Sequence, residues 1–188
     1  AKSLLERIRA GNASSALVVG NGFIGVELAL TLADLGVTAT IVGRRPWVMP
    51  RALDRETSAI AEAAIASRGV ILRLGVEAVE FIGDPVRGVR LADGTELTAD
   101  LVLAATGVKP HAGYLASSPI ATDWGVAVDD HLRTTLPNIV AAGDVAETRD
   151  LMTGERYVHA IFQNAVTQAP IAAANLLGAN LVYAGAEA

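Results

Sequence analysis

The sequence predicts an α/β fold in which a parallel sheet is followed by an antiparallel β-meander. Short apolar runs fit for buried strands alternate with helical segments between residues 16 and 74, in a β-α-β-α-β order. Shorter segments follow between residues 77 and 98, separated by Gly83-Asp84-Pro85 and Asp93-Gly94. The composition, 52% hydrophobic with 18 glycines and only 4% aromatic residues, suits such a core.

Boundary signals define each predicted element. Gly11 ends a first short helix, and Gly36 closes the helix that follows the first strand. Asp54 can cap a third helix, which has Gly69 beyond its end. The expected elements are a helix over Leu4–Ala10, a strand over Ala16–Val19, a helix over Phe23–Leu35, a strand over Thr38–Val42, a helix from Asp54 to about Ser67, a strand over Val70–Leu74, meander segments over Glu77–Ile82, Val86–Leu91 and Glu96–Thr98, and a strand over Leu101–Ala104.

Charge and cysteine usage exclude several classes of function. The 188 residues carry a formal net charge of −5, so no surface for nucleic acid or anionic membranes is expected. The chain has no cysteine, which excludes disulfides, thiolate zinc sites and redox-active cysteine pairs within it, and no metal site is predicted. Since it shows neither a leader nor an apolar run of about 18 residues, we expect no membrane span and a cytoplasmic location.

The run GNGFIG, over Gly20–Gly25, stands between the first strand and the second helix. This context is the one that a Rossmann-like dinucleotide-binding turn requires. The first glycine permits the tight turn, the second lets a pyrophosphate approach the backbone, and the third allows close packing of helix on strand. The helix N-terminus adds free N–H groups and partial positive charge for the phosphates. The sequence therefore predicts dinucleotide binding here rather than a purely structural turn.

Further motifs follow the glycine turn at characteristic spacing. They are Val26-Glu27, LAATGVKP over Leu103–Pro110, TTLPNIVAAGD over Thr134–Asp144 and NAVTQ over Asn164–Gln168. With these motifs in this order, essentially the whole chain resembles the FAD-dependent pyridine nucleotide-disulfide oxidoreductase superfamily. The ATG turn at Ala105–Gly107, the TGE at residues 153–155 and FQNAVTQAPIAAANLLG are most similar to its branch of NADH oxidases, nitrite reductase flavin subunits and persulfide reductases.

The resemblance implies a domain organisation. Residues 1–11 would form a lead-in helix, residues 12–110 an NAD(P)-binding Rossmann-like domain, and residues 111–188 a segment returning to an incomplete FAD-binding domain. The first part of the FAD domain and most of the C-terminal dimerisation domain would then lie outside this chain. We therefore expect the chain alone to bind a nicotinamide dinucleotide, to be colourless without FAD, and to catalyse little. Strand edges exposed after about Ala112 would allow pairing with a second copy.

The resemblance also implies roles for single residues. Ile24 and Glu27 match positions near the nicotinamide end, Thr106 and Gly107 a turn that closes over the cofactor, and Asp144 the aspartate that hydrogen-bonds the FAD ribityl chain. Structural alternatives remain open for four of these residues. Glu27 could be a carboxylate on the helix surface, and Thr106 and Gly107 a strand-to-loop exit. Asp144 could be an N-cap or turn residue after a strand. The predicted cofactor-binding residues are Gly20, Asn21, Gly22, Phe23, Ile24, Gly25, Glu27, Arg44, Arg45, Thr106, Gly107 and Asp144.

The end of the second strand departs from the usual dinucleotide pattern. About 20 residues past the first glycine, an acidic residue normally accepts hydrogen bonds from the adenosine 2′-OH. Gly43 stands there instead, followed by Arg44 and Arg45, which could pair with a 2′-phosphate. This pattern favours NADPH over NADH, and the alternative is that both arginines are solvated loop charges.

In an intact enzyme of this kind, hydride would pass from NAD(P)H to the flavin and on to an acceptor, and no catalytic residue is assigned in this chain. The alternative function is a non-catalytic NAD(P)-binding or sensing module without flavin chemistry. A free-standing dehydrogenase is not supported, because no tyrosine has a lysine four residues on. His111, His131 and His159 are interpreted as structural or solvent-facing. Pro170 raises the question whether residues 162–177 form one helix.

Overall fold

The alternating apolar runs and helical segments form, in the computed structural model, a four-stranded parallel sheet with helices on one face and a meander on the other. The structure describes residues 2–186, divided into one unit ending at Gly107 and a second beginning at Val108. Elements of the first unit are α1 (Lys2–Arg9), β1 (Ser15–Val19), α2 (Phe23–Asp34), β2 (Thr38–Gly43), α3 (Arg55–Ser67), β3 (Ile71–Leu74), β4 (Ala78–Ile82), β5 (Gly88–Leu91), β6 (Glu96–Thr98) and β7 (Leu101–Ala104). The predicted α/β fold is confirmed, with element ends shifted by one or two residues.

The parallel sheet has the strand order β3-β2-β1-β7 and is buried on both faces. Along β1, Ala16 and Val18 join the core cluster that includes residues of α2 and α3. The alternate residues Leu17 and Val19 pack with residues of β5 in the meander. Because successive side chains point to opposite faces and both faces are covered, β1 needs a continuous apolar run rather than an alternating one.

Local backbone chemistry ends the helices where the sequence predicts. The Asp54 carboxylate accepts a hydrogen bond of 2.7 Å from the Thr57 N–H, which caps the start of α3. Gly36 and Gly69 follow α2 and α3 and adopt φ values of +81° each. This left-handed conformation is open to glycine without strain, so each helix can stop and turn toward the next strand.

The second unit has little regular structure. Strands β8 (Val126–Ala127), β9 (Ala146–Arg149) and β10 (Arg156–Tyr157) form a sheet of order β10-β9-β8, and α4 (Phe162–Leu176) follows. The helix α4 runs without interruption through Pro170, which answers the question raised by the sequence. Short 3₁₀ turns occupy Gly113–Leu115 and Gly143–Val145. Among residues 2–186, no helix is long and apolar enough to cross a membrane.

Candidate nucleotide site

Two of the three glycines in the turn are required by the packing of the protein itself. Gly20 has φ +124°, and a Cβ at this position would lie 2.1 Å from the carbonyl oxygen of Ala105, just after β7. A Cβ at Gly25 would lie 2.0 Å from the carbonyl oxygen of Gly20. The sequence predicted that the third glycine would allow close packing of the helix on the strand. In the structure it packs on the first glycine, at the point where the turn leaves β1.

The middle glycine leaves space instead. Gly22 is the N-cap of α2, in an extended conformation, and no atom lies within 4 Å of the Cβ that a side chain would place there. Gly22 has no side chain to cap the helix, and the first N–H groups of a helix have no intrahelical acceptor. Phe23 and Ile24 lie exposed at this end of the helix. The turn therefore offers open backbone and free donors, as an anionic pyrophosphate requires.

The side chain of Asn21 points into the protein. It is only 7% exposed, and its amide nitrogen donates to the carbonyl oxygens of Arg45 at 3.0 Å and Trp47 at 2.7 Å. The backbone carbonyl of Asn21 accepts a hydrogen bond of 2.8 Å from the Met49 N–H. Because protein carbonyls engage the side-chain nitrogen and Met49 engages the backbone carbonyl, the backbone N–H of Asn21 is the donor that remains for a cofactor. The sequence did not predict this link between the turn and the loop after β2.

The loop after β2 carries both predicted arginines at its surface. A Cβ at Gly43 would lie 2.3 Å from Cγ of Asn21, so the missing side chain at 43 makes room for that amide. The Arg44 guanidinium lies 3.7 Å from the Glu77 carboxylate, with the two side chains 68% and 53% exposed. Such an exposed pair contributes at most about 1 kcal/mol and could exchange for a ligand phosphate. Arg45 is exposed and forms no ion pair with any residue in the range 2–186.

Other predicted residues of the first unit lie at the same edge of the sheet. Thr106 and Gly107 follow β7, the strand beside β1, and both are exposed. The nitrogen of Thr106 lies 3.3 Å from the Cβ position of Gly20, so this turn adjoins the glycine turn. Ile24 and Glu27 lie near the start of α2, the helix that begins at the glycine turn. The carboxyl ends of parallel strands thus bring these separate motifs together, as expected for α/β ligand sites.

Asp144 lies in the second unit, in the 3₁₀ turn Gly143–Val145. Its carboxylate is exposed and makes no hydrogen bond or ion pair within the described part of the chain. The turn is fixed by Gln168, a residue of α4 that is 2% exposed and accepts a hydrogen bond of 2.7 Å from the Gly143 N–H. Asp144 is therefore a free acceptor held on an anchored turn.

The remaining polar groups of interest have structural roles. A larger hollow, of about 670 Å³, includes Arg7, Arg87 and Asp100 and lies at the amino ends of the strands, away from the glycine turn. His159 is nearly buried, with Nε2 2.7 Å from the Asp150 carboxylate, a partner that the sequence did not indicate. Across residues 2–186, no three metal-ligating side chains gather into a possible ion site.

An uncapped helix N-terminus, an open middle glycine and a turn after the neighbouring strand are the features by which α/β folds bind dinucleotides. A family model described as pyridine nucleotide-disulphide oxidoreductase matches residues 3–174. The chain belongs to this family, which confirms the resemblance seen in its motifs.

Relatives with different electron donors and acceptors share this part. The chain is 34% identical over 140 residues to the NAD(P)H nitrite reductase of Bacillus subtilis, covering 74% of this chain and 17% of that protein. The NAD-dependent persulfide reductase of A. fulgidus superposes with a TM-score of 0.92 at 29% identity, over 98% of this chain and 34% of that one. An engineered water-forming NADPH oxidase, derived from the Lactobacillus brevis NADH oxidase, superposes with a TM-score of 0.89 at 26% identity, over 98% and 41% of the two chains.

The chain thus spans between about one sixth and two fifths of the length of these relatives.

Proposed function

We propose that this chain binds a nicotinamide dinucleotide across the Gly20–Gly25 turn, with the pyrophosphate at the N-terminus of α2. The observation that carries the proposal is the contrast between the glycines. Gly20 and Gly25 are fixed by contacts within the protein, whereas Gly22 faces open space beside free helix donors. Nothing in the packing requires glycine at position 22, but a phosphate approaching the backbone would. Ile24, Glu27, Thr106 and Gly107 would flank the nicotinamide end.

The test is Gly22→Val, compared with Gly113→Val. Gly113 is a matched control because a Cβ there also meets nothing within 4 Å, and it lies in the second unit. We expect Gly22→Val to abolish measurable binding of both NADH and NADPH in calorimetric titration, while the circular dichroism spectrum stays that of the parent. Gly113→Val should bind like the parent. Unchanged affinity in Gly22→Val would refute the assignment.

For the adenosine end, we propose that NADPH is preferred. Position 43 has no acid to accept from a ribose 2′-OH, and two exposed guanidiniums follow it. The loop that carries them is anchored, because Asn21 and Gly75 both donate to the Arg45 carbonyl, at 3.0 and 3.1 Å. The engineered NADPH oxidase supports the same direction, since its substitutions remove an aspartate and introduce two arginines.

Arg44→Ala and Arg45→Ala test this preference. Each charge-assisted contact to a 2′-phosphate should contribute about 1.5–3 kcal/mol, so losing one weakens NADPH binding about ten- to a hundredfold. NADH binding should barely change, because NADH offers these side chains no phosphate. Both dissociation constants are measured at one low ionic strength, since salt screens exposed charges over about 10 Å. Arg87→Ala is the control, an exposed arginine at the opposite end of the strands.

The outcomes separate the alternatives. Equal losses of affinity for NADPH and NADH would show that the arginines only attract anions in general. No loss in either variant would make them solvated loop charges, and NADH would become the preferred cofactor.

In the full-length protein, we propose that hydride passes from NAD(P)H to a flavin and on to an acceptor. FAD would supply the electron-accepting chemistry, and this chain would hold and orient the nicotinamide. Asp144 would hydrogen-bond the flavin side chain, which suits a carboxylate that has no protein partner in the described residues. Asp144→Ala in the full-length protein should lower flavin retention, measured by absorbance, whereas the exposed Asp123→Ala should not. A full-length product without flavin would favour a non-catalytic NAD(P)-binding module.

A further inference from the structure

The space where residue 43 would normally place a side chain is filled from another part of the chain. A Cβ at Gly43 would lie 2.3 Å from Cγ, 2.5 Å from Cβ and 2.7 Å from Nδ2 of Asn21. Contacts of this length cannot exist between real side chains. Gly43 and Asn21 therefore form one packed unit, in which the amide of the glycine turn occupies the position from which an acid would read the ribose.

The same amide fixes the loop that bears the arginines. The two N–H groups of the Asn21 side chain donate to the carbonyls of Arg45 and Trp47. The backbone carbonyl of Asn21 accepts from the Met49 N–H. Met49 has φ +48°, a conformation uncommon for a residue with a side chain, and this hydrogen bond helps to hold it. One residue before Met49, the Val48 carbonyl accepts from the Ser58 hydroxyl at 2.9 Å. The path of the backbone after Gly43 thus depends on Asn21.

We propose that Asn21 is a positioning residue that sets cofactor preference, an inference that rests on the proposed function of the glycine turn. By filling the space beside Gly43, the Asn21 amide excludes an acidic side chain at position 43. By binding the carbonyls of Arg45 and Trp47, it orients the Arg44–Arg45 backbone so that guanidiniums, rather than a carboxylate, read the adenosine end.

The first test measures NADPH and NADH dissociation constants for Asn21→Ala against Asn12→Ala, an exposed asparagine in the same unit. If Asn21 positions the arginines, the NADPH dissociation constant rises about tenfold and the NADH constant less than about threefold, since losing one charge-assisted contact is worth about a decade. Equal losses for both cofactors would show that Asn21 only supports the pyrophosphate turn, which overturns the inference and leaves the proposed function standing.

The second test changes the two residues that pack against each other, at positions 21 and 43. Gly43→Asp alone has no room for its carboxylate while Asn21 is present, so it should be less stable than the parent and should not favour NADH. Gly43→Asp combined with Asn21→Gly frees that space, and the ratio of the two affinities should move toward NADH by about tenfold or more, because the carboxylate accepts from the 2′-OH and repels a 2′-phosphate. An equal shift with and without Asn21→Gly would overturn the steric part of the inference.

A third readout needs no nucleotide. Thermal unfolding of Gly43→Ala, Asn21→Gly and the double variant forms a cycle, and residues in contact give non-additive effects. Gly43→Ala should lower Tm by about 3 °C or more in the parent and by much less when residue 21 is glycine. Additive changes in Tm would contradict the packing of Asn21 against Gly43. A parent chain that binds neither dinucleotide would overturn the proposed function and the inference together, whatever the Tm values.

Discussion

The unit that ends at Gly107 and the unit that begins at Val108 differ in how many polar side chains each of them buries. The first buries aliphatic side chains on both faces of a four-stranded parallel sheet. The second has strands of two to four residues and buries many polar side chains. Within residues 2–186, seven of the nine buried polar residues belong to it, namely Thr134, Glu147, Thr148, Asp150, Asn164, Gln168 and Asn175.

Most of these polar groups replace missing sheet hydrogen bonds. The Asn175 side chain donates to the carbonyls of His131 and Leu181 and accepts from the Leu181 N–H, at 2.7–2.8 Å. The Glu147 carboxylate accepts from the Gly125 N–H at 3.0 Å. A buried backbone group needs a partner, and where strands are short a side chain must supply it. The second unit therefore adds hydrogen bonds from side chains to the backbone to its apolar core, whereas the first unit buries few polar side chains.

The largest expected effect is on the tight packing of the first unit. Gly25→Ala places a Cβ 2.0 Å from the Gly20 carbonyl oxygen, and neither backbone segment can move without disturbing the turn. Overpacking of this kind should lower the free energy of unfolding by about 3 kcal/mol, measured by urea titration. The control is Gly22→Ala, which meets nothing within 4 Å and should cost at most about 1 kcal/mol, the loss expected from alanine at an N-cap. Similar losses in both variants would contradict the assigned roles.

A smaller effect is expected in the second unit. Gln168→Leu keeps a buried side chain of similar volume but removes the acceptor for the Gly143 N–H. Leaving that donor without a partner should cost about 2 kcal/mol. Gln163→Leu is the matched control, because Gln163 lies exposed on the same helix. If Gln168→Leu proved as stable as this control in urea, hydrogen-bond satisfaction would not distinguish the two units.

The smallest expected effect is a loss of stability at low pH, which depends on one carboxylate in each unit. In this respect the two units should behave alike. The Ser14 and Ser15 N–H and hydroxyl groups donate to Asp100 and lower the pKa of its carboxyl from 3.8 to about 2. Donation from Thr153 and Met152, together with the nearby His159, lowers the pKa of Asp150 despite its burial. A pKa lowered by folding contributes stability above the unfolded value, and this stability is lost as the pH falls through the folded value.

For Asp100, the loss should fall between about pH 4 and pH 2. Asp100→Asn and Asp150→Asn should therefore lose less stability than the parent when the pH falls from 5 to 3, as measured by the urea midpoint. Asp123→Asn, which removes an exposed carboxylate that accepts no hydrogen bond from the described residues, should follow the parent. If all three variants followed the parent, neither carboxylate would contribute to acid sensitivity.

The sequence alone determined most of the first unit. Strand–glycine–helix order, the Asp54 cap and the continuous apolar run of β1 depend on backbone dihedral angles and on burial of neighbouring side chains, which are local properties. The same local signals predicted that Gly20–Gly25 would form a turn between β1 and α2. In the second unit the residue pattern predicted no strand, because strands of two to four residues leave little periodicity to detect. A helix over residues 162–177 was indicated only by the family resemblance.

Only the tertiary structure decided how the site is assembled. Asn21 binds carbonyls 24 and 26 residues away, and Arg44 lies beside Glu77. Each of these contacts forms where the ends of parallel strands converge, so its partners are adjacent in space and distant in sequence. A local pattern specifies which backbone conformations are available. Which side chain fills the space at Gly43 depends on how closely two strands pack, and that distance is a property of the folded core.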